Sequence, residues 1–260
     1  MQDKQPTTYI SNPFRVVFKG FENLFKYNQN LSIILLIYTL VLSSGSYFDA
    51  NLDSSVLNNN SSQTVIVLII VLSLIFLLVI LPIFMFLLFM FNGITAYTIV
   101  KTNDQQTGSF KEAWKITLSK FWTIVATDAI IFLKIFGGLL LFIVPGVRAM
   151  LRYSIVHIFI YDKNVKASEA VEMSKELTKG HLMEILGMSF ASGIIPIVGG
   201  LMGIGGQAII YKQLSELKAS GSPKPPMHWL NYLAFIVIGI ILFIVLLIIL
   251  IIGGLALSNR

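Results

Sequence analysis

Long runs of apolar residues alternate with short polar segments along this chain. Between residues 65 and 91 no side chain is charged, and apart from Ser73 and Pro82 all are aliphatic, aromatic or Met. A surface helix of a soluble protein has only an apolar stripe, whereas this segment is apolar on every side. About 20 such residues cross the ~30 Å hydrocarbon layer of a bilayer. The pattern therefore predicts an integral membrane protein built of helices.

The apolar runs pair into three predicted helical hairpins. The hairpins cover residues 31–100, 121–161 and 182–211, with turns at Pro145-Gly146 in the second and near Pro196 in the third. Each leg of the third reaches only about 22 Å, so this segment is either a thin or re-entrant hairpin or a single kinked helix. A further apolar run follows Trp229. The predicted fold class is all-α, a polytopic transmembrane helical bundle of about six to seven spans.

A short amphipathic helix is predicted ahead of the first hairpin. Pro13 follows Ser11 and Asn12, which is typical of a helix start. The predicted apolar face contains Phe14, Phe18 and Phe21, and the opposite face contains Arg15 and Lys19. Such a helix lies in the head-group region of a membrane.

Two more amphipathic helices are predicted ahead of the other hairpins. Ser109 and Glu112 have capping-box spacing, which indicates a helix start, and another helix runs from about residue 167 to 177 and ends at Gly180. The chain therefore divides into an amphipathic segment 1–30, a core membrane domain 31–215, and a linker with an additional transmembrane helix in 216–260.

The basic residues predict the orientation of these elements. Of the 19 Lys and Arg residues, 15 cluster before residue 31 and in 101–120, 162–181 and 212–228, whereas 49–63 has none. By the positive-inside rule the basic segments and the amino terminus face the cytoplasm. A net charge of +6 in a chain that is 55% hydrophobic and 12% charged indicates contact with anionic lipid head groups rather than nucleic acid.

The sequence supplies no motif for catalysis. It has no Cys, which excludes disulfides, thiolate nucleophiles and Cys-ligated metals. His181 and Glu184 have i, i+3 spacing, but two residues do not make a metal site, and pairing at a helix end explains them. We expect no catalytic residue, no metal and no cofactor, and we expect a protein that is not an enzyme.

Four basic residues of the second hairpin are candidate ligand-binding or lipid-binding residues. Lys134 lies near the middle of its predicted span, where a charge costs about 2.5–3.5 kcal/mol. Arg148 and Arg152 are one helical turn apart, which suits a phosphate or carboxylate. A turn at residues 145–146 would place His157 level with Lys134 and create a buried basic seam.

Structural roles compete with this interpretation. Lys134 could snorkel or pair within the bundle, Arg148 could anchor at the outer interface, and Arg152 could satisfy backbone carbonyls freed by the break. Asp128 is expected to pair with Lys163 or Lys120.

A resemblance to known membrane proteins is carried by two segments. These are Pro145-Gly146-Val147-Arg148 and Ser174-Lys175-Glu176-Leu177-Thr178-Lys179-Gly180. Over roughly residues 80–215 the chain resembles prokaryotic membrane proteins of the YciC type and the membrane domain of some glycerophosphoryl diester phosphodiesterases. The resemblance implies a bundle of about six helices in a prokaryotic cytoplasmic membrane, without phosphodiesterase chemistry.

Two function classes follow from these expectations. The first is a non-enzymatic membrane scaffold or lipid-binding protein, whose partners are anionic lipids and a membrane protein or a second copy of the chain. The alternative is a small transporter or exporter component for an anionic solute or lipid.

Overall fold

The computed structural model describes residues 9–44 and 63–258, which fold into helices without strands. The helices are α1 (Pro13–Ser44), α2 (Gln63–Ile75), α3 (Leu81–Asn103), α4 (Phe110–Ser119), α5 (Phe121–Leu141), α6 (Ile143–Tyr153), α7 (Val156–Asp162), α8 (Ala167–Leu177), α9 (Leu182–Gly193), α10 (Gly199–Ser220) and α11 (Leu230–Ser258). A π-helical segment, Phe76–Ile80, joins α2 to α3. The all-α class is therefore confirmed.

Three helices in the described part are long and apolar enough to cross a membrane. The first, Val67–Asn103, runs from α2 through the π-helical segment to the end of α3. The second, Phe121–Leu141, is α5, and the third, Ile143–Asp162, contains α6 and α7. Helix α9 is a shorter apolar helix. In Val67–Asn103 the most apolar stretch has no buried residue. Such a surface would be costly in water and is stable in lipid, so these helices agree with the predicted membrane protein.

The helix starts follow the local sequence signals. The side chain of Asn12 accepts hydrogen bonds from the backbone N–H groups of Phe14 and Arg15, where α1 begins. The Ser109 hydroxyl accepts the N–H of Glu112 at the start of α4. Each contact satisfies an N–H group that has no partner inside its helix. The predicted starts at Pro13 and after Ser109 are confirmed, as is the helix at 167–177.

Helix α1 is bent at Asn28, whose backbone leaves helical geometry at φ −137° and ψ 51°. The bend is held by the chain that follows α3. The Asn28 carboxamide donates to the Thr102 hydroxyl and to the Gln106 carbonyl, and its oxygen accepts the N–H of Gly108. A buried side chain thus joins the two halves of α1 to the loop after α3.

The turn of the second hairpin lies at Phe142, not at Pro145-Gly146 as predicted. Phe142 is extended, and Pro145 and Gly146 belong to the first turn of α6, where a proline needs no N–H partner. Gly146 packs against Gly138 of α5, where an added Cβ would come within 3.0 Å of backbone atoms. This close packing, which the Pro-Gly signal does not reveal, sets the turn.

The third hairpin consists of two helices, α9 and α10, and is not a single kinked helix. Residues 194–198 form the turn, which includes the predicted break at Pro196. Ile197 has a φ of +67°, a conformation that is strained for a β-branched residue.

The first half of α1 packs on α10 rather than resting on lipid alone. Val17 is fully buried, and Phe14 and Phe21 pack against the core, whereas Phe18 is 57% exposed. Arg15 and Lys19 are exposed on the other side. Most of the predicted lipid-facing aromatic face is thus an internal contact, and Phe18 is its exposed member.

Candidate functional site

The α5–α6 hairpin brings Lys134 to the level of Tyr153 rather than of His157. The Lys134 ammonium lies 5.9 Å from the centre of the Tyr153 ring, a cation–π distance. This register follows from the turn at Phe142. Lys134 and Arg148 are exposed at the protein surface, and Arg152 is partly buried. We call Lys134, Arg148 and Arg152 the basic seam; it is a surface feature, in contrast to the buried seam expected from the sequence.

The guanidinium of Arg152 does not satisfy carbonyls at the Pro145-Gly146 break, which was the structural role considered for it. Its Nε is buried and has no hydrogen-bond partner among the described residues. The backbone carbonyl of Arg152, at the end of α6, accepts hydrogen bonds from the hydroxyls of Ser174, at 2.7 Å, and Thr178, at 3.3 Å. Both hydroxyls lie at the end of α8.

An acid whose carboxylate feels the charge of Lys134 is already paired. Glu172 of α8 accepts a hydrogen bond of 2.7 Å from Lys175. That hydrogen bond, followed by the charges of Lys175 and Lys134, lowers the pKa of Glu172. Because Lys175 neutralises this carboxylate, the seam keeps an excess of positive charge.

His157 takes part in a polar contact between three membrane-type helices instead of joining the seam. Its Nε2 lies 2.8 Å from an Asp128 carboxylate oxygen, and Asn92 donates to the other oxygen of Asp128 at 3.4 Å. The expected partners of Asp128 are engaged elsewhere: Lys163 pairs with Asp162, and Lys120 donates to the Ile160 carbonyl. The prediction for Asp128 was therefore wrong.

We expect Asp128→Ala and His157→Ala each to lower the free energy of unfolding by about 1 kcal/mol, because each removes one side of this close polar contact. The variant that carries both substitutions should lose less free energy of unfolding than the two single variants lose together. Thermal unfolding in detergent measures all three proteins, with Glu172→Gln, which breaks an exposed ion pair, as the control that changes little. Strict additivity of the two losses would contradict the pairing.

Glu184 is the centre of a buried cluster at the start of α9. It is 6% exposed and lies 3.0 Å from His181, 3.4 Å from Lys224 and 3.4 Å from the Tyr9 hydroxyl. Burial, followed by the charge of Glu184, raises the pKa of Tyr9. The His181–Glu184 pair follows from its spacing, but no local signal indicates Tyr9 or Lys224. Among the described residues no group of three His, Cys, Asp or Glu side chains could hold a metal.

The chain was compared with family models, with curated proteins and with solved structures. No family model matches it, and neither the curated proteins nor the solved structures give a match.

Proposed function

We propose that this protein is a non-enzymatic integral membrane protein that binds the head group of an anionic lipid at the basic seam. The observation that carries the proposal is the buried Arg152 Nε, which has no partner among the described residues although a hydroxyl-rich helix lies beside it. A buried donor without a partner costs about 1–3 kcal/mol. A ligand that accepts this hydrogen bond removes that cost.

The chemistry of the seam favours a phosphate group. Arg148 and Arg152 are four residues apart on one helix, and guanidinium groups form forked hydrogen bonds with phosphate oxygens. Lys134 adds a point charge from the opposite leg, held over the Tyr153 ring. Because Lys134 and Arg148 are exposed on a hairpin that is compatible with a membrane, a lipid reaches them without passing through the bundle.

The same proposal includes the topology. We place the amino terminus and the basic segments on the cytoplasmic side of a prokaryotic membrane, with six to seven spans and interfacial helices, as the resemblance to YciC-type proteins implies. In support, Lys101 lies 3.7 Å from Glu112, and the Lys120 ammonium donates to the Ile160 carbonyl. Lys120 also donates to the side chain of Asn164, so the basic segment 101–120 meets the basic segment 162–181 at one end of the bundle, which agrees with the positive-inside rule.

Native mass spectrometry of protein released from nanodiscs that contain phosphatidylglycerol tests the proposal. Wild type is expected to keep a bound anionic lipid, and Arg152→Gln is expected to lose it, because the amide cannot form a forked hydrogen bond with phosphate. Lys111→Gln, an equal loss of charge on α4, should keep the lipid.

The identity of the retained species separates the two function classes. A bound phospholipid supports the lipid-binding function, whereas a bound soluble anion that is lost in Arg152→Gln favours the transport alternative. Equal lipid retention by Arg152→Gln and wild type would refute the assigned role of the seam.

A further inference from the structure

A second basic site lies away from the seam, in a cavity of about 330 Å³ between α1, the end of α3 and α10. Lys19 and Lys26 line it from α1, and Lys212 lines it from α10. Lys19 and Lys26 are seven residues apart, which places them on one face of α1 two turns apart. A volume of this size falls within the usual range of small-molecule sites, about 300–1,000 Å³.

None of the described residues that line this lysine cavity is acidic. Lys19 is paired on its outer side with Glu22, at 3.0 Å, and Lys26 lies 5.2 Å from the centre of the Tyr27 ring. Lys212 forms no ion pair with the residues that the structure describes. Lys26 and Lys212 thus have no carboxylate partner among the described residues, and an anion in the cavity would be attracted to both ammonium groups.

An amide in the cavity wall supplies a further hydrogen-bonding group. Gln213 is 8% exposed and lines the cavity. Its carboxamide has no hydrogen bond to any described residue, and its polar atoms are not among the buried atoms that lack a partner, so they remain accessible. A ligand with acceptor oxygens would supply a hydrogen-bond partner, and Asn23, across the cavity on α1, offers a further amide.

We propose that the lysine cavity binds an anion that carries phosphate groups. Several lysines and neutral amides around one cavity suit a ligand with many oxygen acceptors and more than one negative charge. A soluble polyphosphate and the head group of a phosphorylated lipid share this chemistry. The cavity is formed by α1, α3 and α10, whereas the basic seam belongs to α5 and α6, so the two sites can be tested separately.

The first experiment tests whether the ligand is a soluble polyphosphate. Inorganic pyrophosphate is titrated calorimetrically into the protein, which is held in nanodiscs of phosphatidylcholine alone. Wild type is expected to bind, and Lys212→Gln should weaken binding by about tenfold or more, because a hydrogen bond to a charged group is worth about 1.5–3 kcal/mol. Gln213→Leu should also weaken binding. Lys115→Gln, an equal charge change on exposed α4, is expected to bind as wild type does.

Native mass spectrometry of protein released from nanodiscs that contain phosphatidic acid tests whether the ligand is a lipid head group. A lipid that is kept by wild type, Lys115→Gln and Arg152→Gln but lost by Lys212→Gln assigns the cavity to a lipid head group, independently of the seam. Lys212 forms no ion pair with the described residues, so its variant should unfold at the wild-type temperature. If Lys212→Gln matches Lys115→Gln in both measurements, the cavity is not an anion site and the proposal is wrong.

Discussion

Replacing Gly205 with Ala is expected to lower the free energy of unfolding by about 3 kcal/mol. An ideal Cβ at Gly205 would lie 2.4 Å from the carbonyl carbon of Gly20 and 2.6 Å from the backbone nitrogen of Phe21. These are backbone atoms of α1, which cannot move away as a side-chain tip can. The whole of α1 must therefore shift from α10, and the packing of Val17 is lost with it. Thermal unfolding in detergent measures the effect.

Gly137→Ala is the matched control for this substitution. Gly137 lies inside α5, and an added Cβ meets nothing within 4 Å. Because alanine favours a helix over glycine by roughly 0.5–1 kcal/mol, this variant should be as stable as wild type or slightly more stable. Gly20→Ala disrupts the same contact from the α1 side. The stability lost by the double variant should therefore be less than the sum of the losses in Gly20→Ala and Gly205→Ala. Equal stability of Gly205→Ala and Gly137→Ala would show that α1 and α10 do not approach this closely.

The second large effect is expected for Asn28→Leu, which should lower the free energy of unfolding by about 3 kcal/mol. The substitution removes three hydrogen bonds, to Thr102, Gln106 and Gly108, and each unsatisfied group costs about 1 kcal/mol or more. Leucine also favours a straight helix at a position where the backbone is not helical. We expect a lower melting temperature and faster proteolysis of the loop after α3.

Asn30→Leu controls for the change of residue type. Asn30 is exposed two positions further along α1, so its replacement should leave stability within about 0.5 kcal/mol of wild type. If Asn28→Leu behaves as Asn30→Leu does, the hydrogen bonds at the bend contribute no stability.

The sequence predicts those features that depend on neighbours within a few residues. The starts of α1 and α4 follow from Asn12-Pro13 and from Ser109 with Glu112, because capping acts over three or four positions. The all-α class follows from the unbroken apolar runs. Pro145-Gly146, in contrast, suits either a turn or the first turn of a helix, and only the contact of Gly146 with Gly138 decides between them.

Pairings between distant parts of the chain could not be predicted from local patterns. The contact of His157 with Asp128 requires the register of the hairpin, and Glu184 meets Tyr9, which is 175 positions away in the sequence. The lysine cavity was missed for a related reason. The sequence places Lys19 on the polar face of a helix in the head-group region, and it places Lys212 in a basic segment that follows the third hairpin. Because α10 continues to Ser220, Lys212 lies on a helix that packs against α1.

The contacts of α1 also have a consequence for how the protein is made. Its bend depends on Thr102 and the loop that follows, its crossing point depends on Gly205, and the Ser11 carbonyl accepts a hydrogen bond from Asn231. The ribosome delivers α1 first and these partners much later. The newly made helix must therefore wait, with its bend and its glycine face unsupported, until α10 and the start of α11 have been synthesised. Contacts so far apart in sequence make assembly slow, and α1 reaches its final packing only when most of the chain is present.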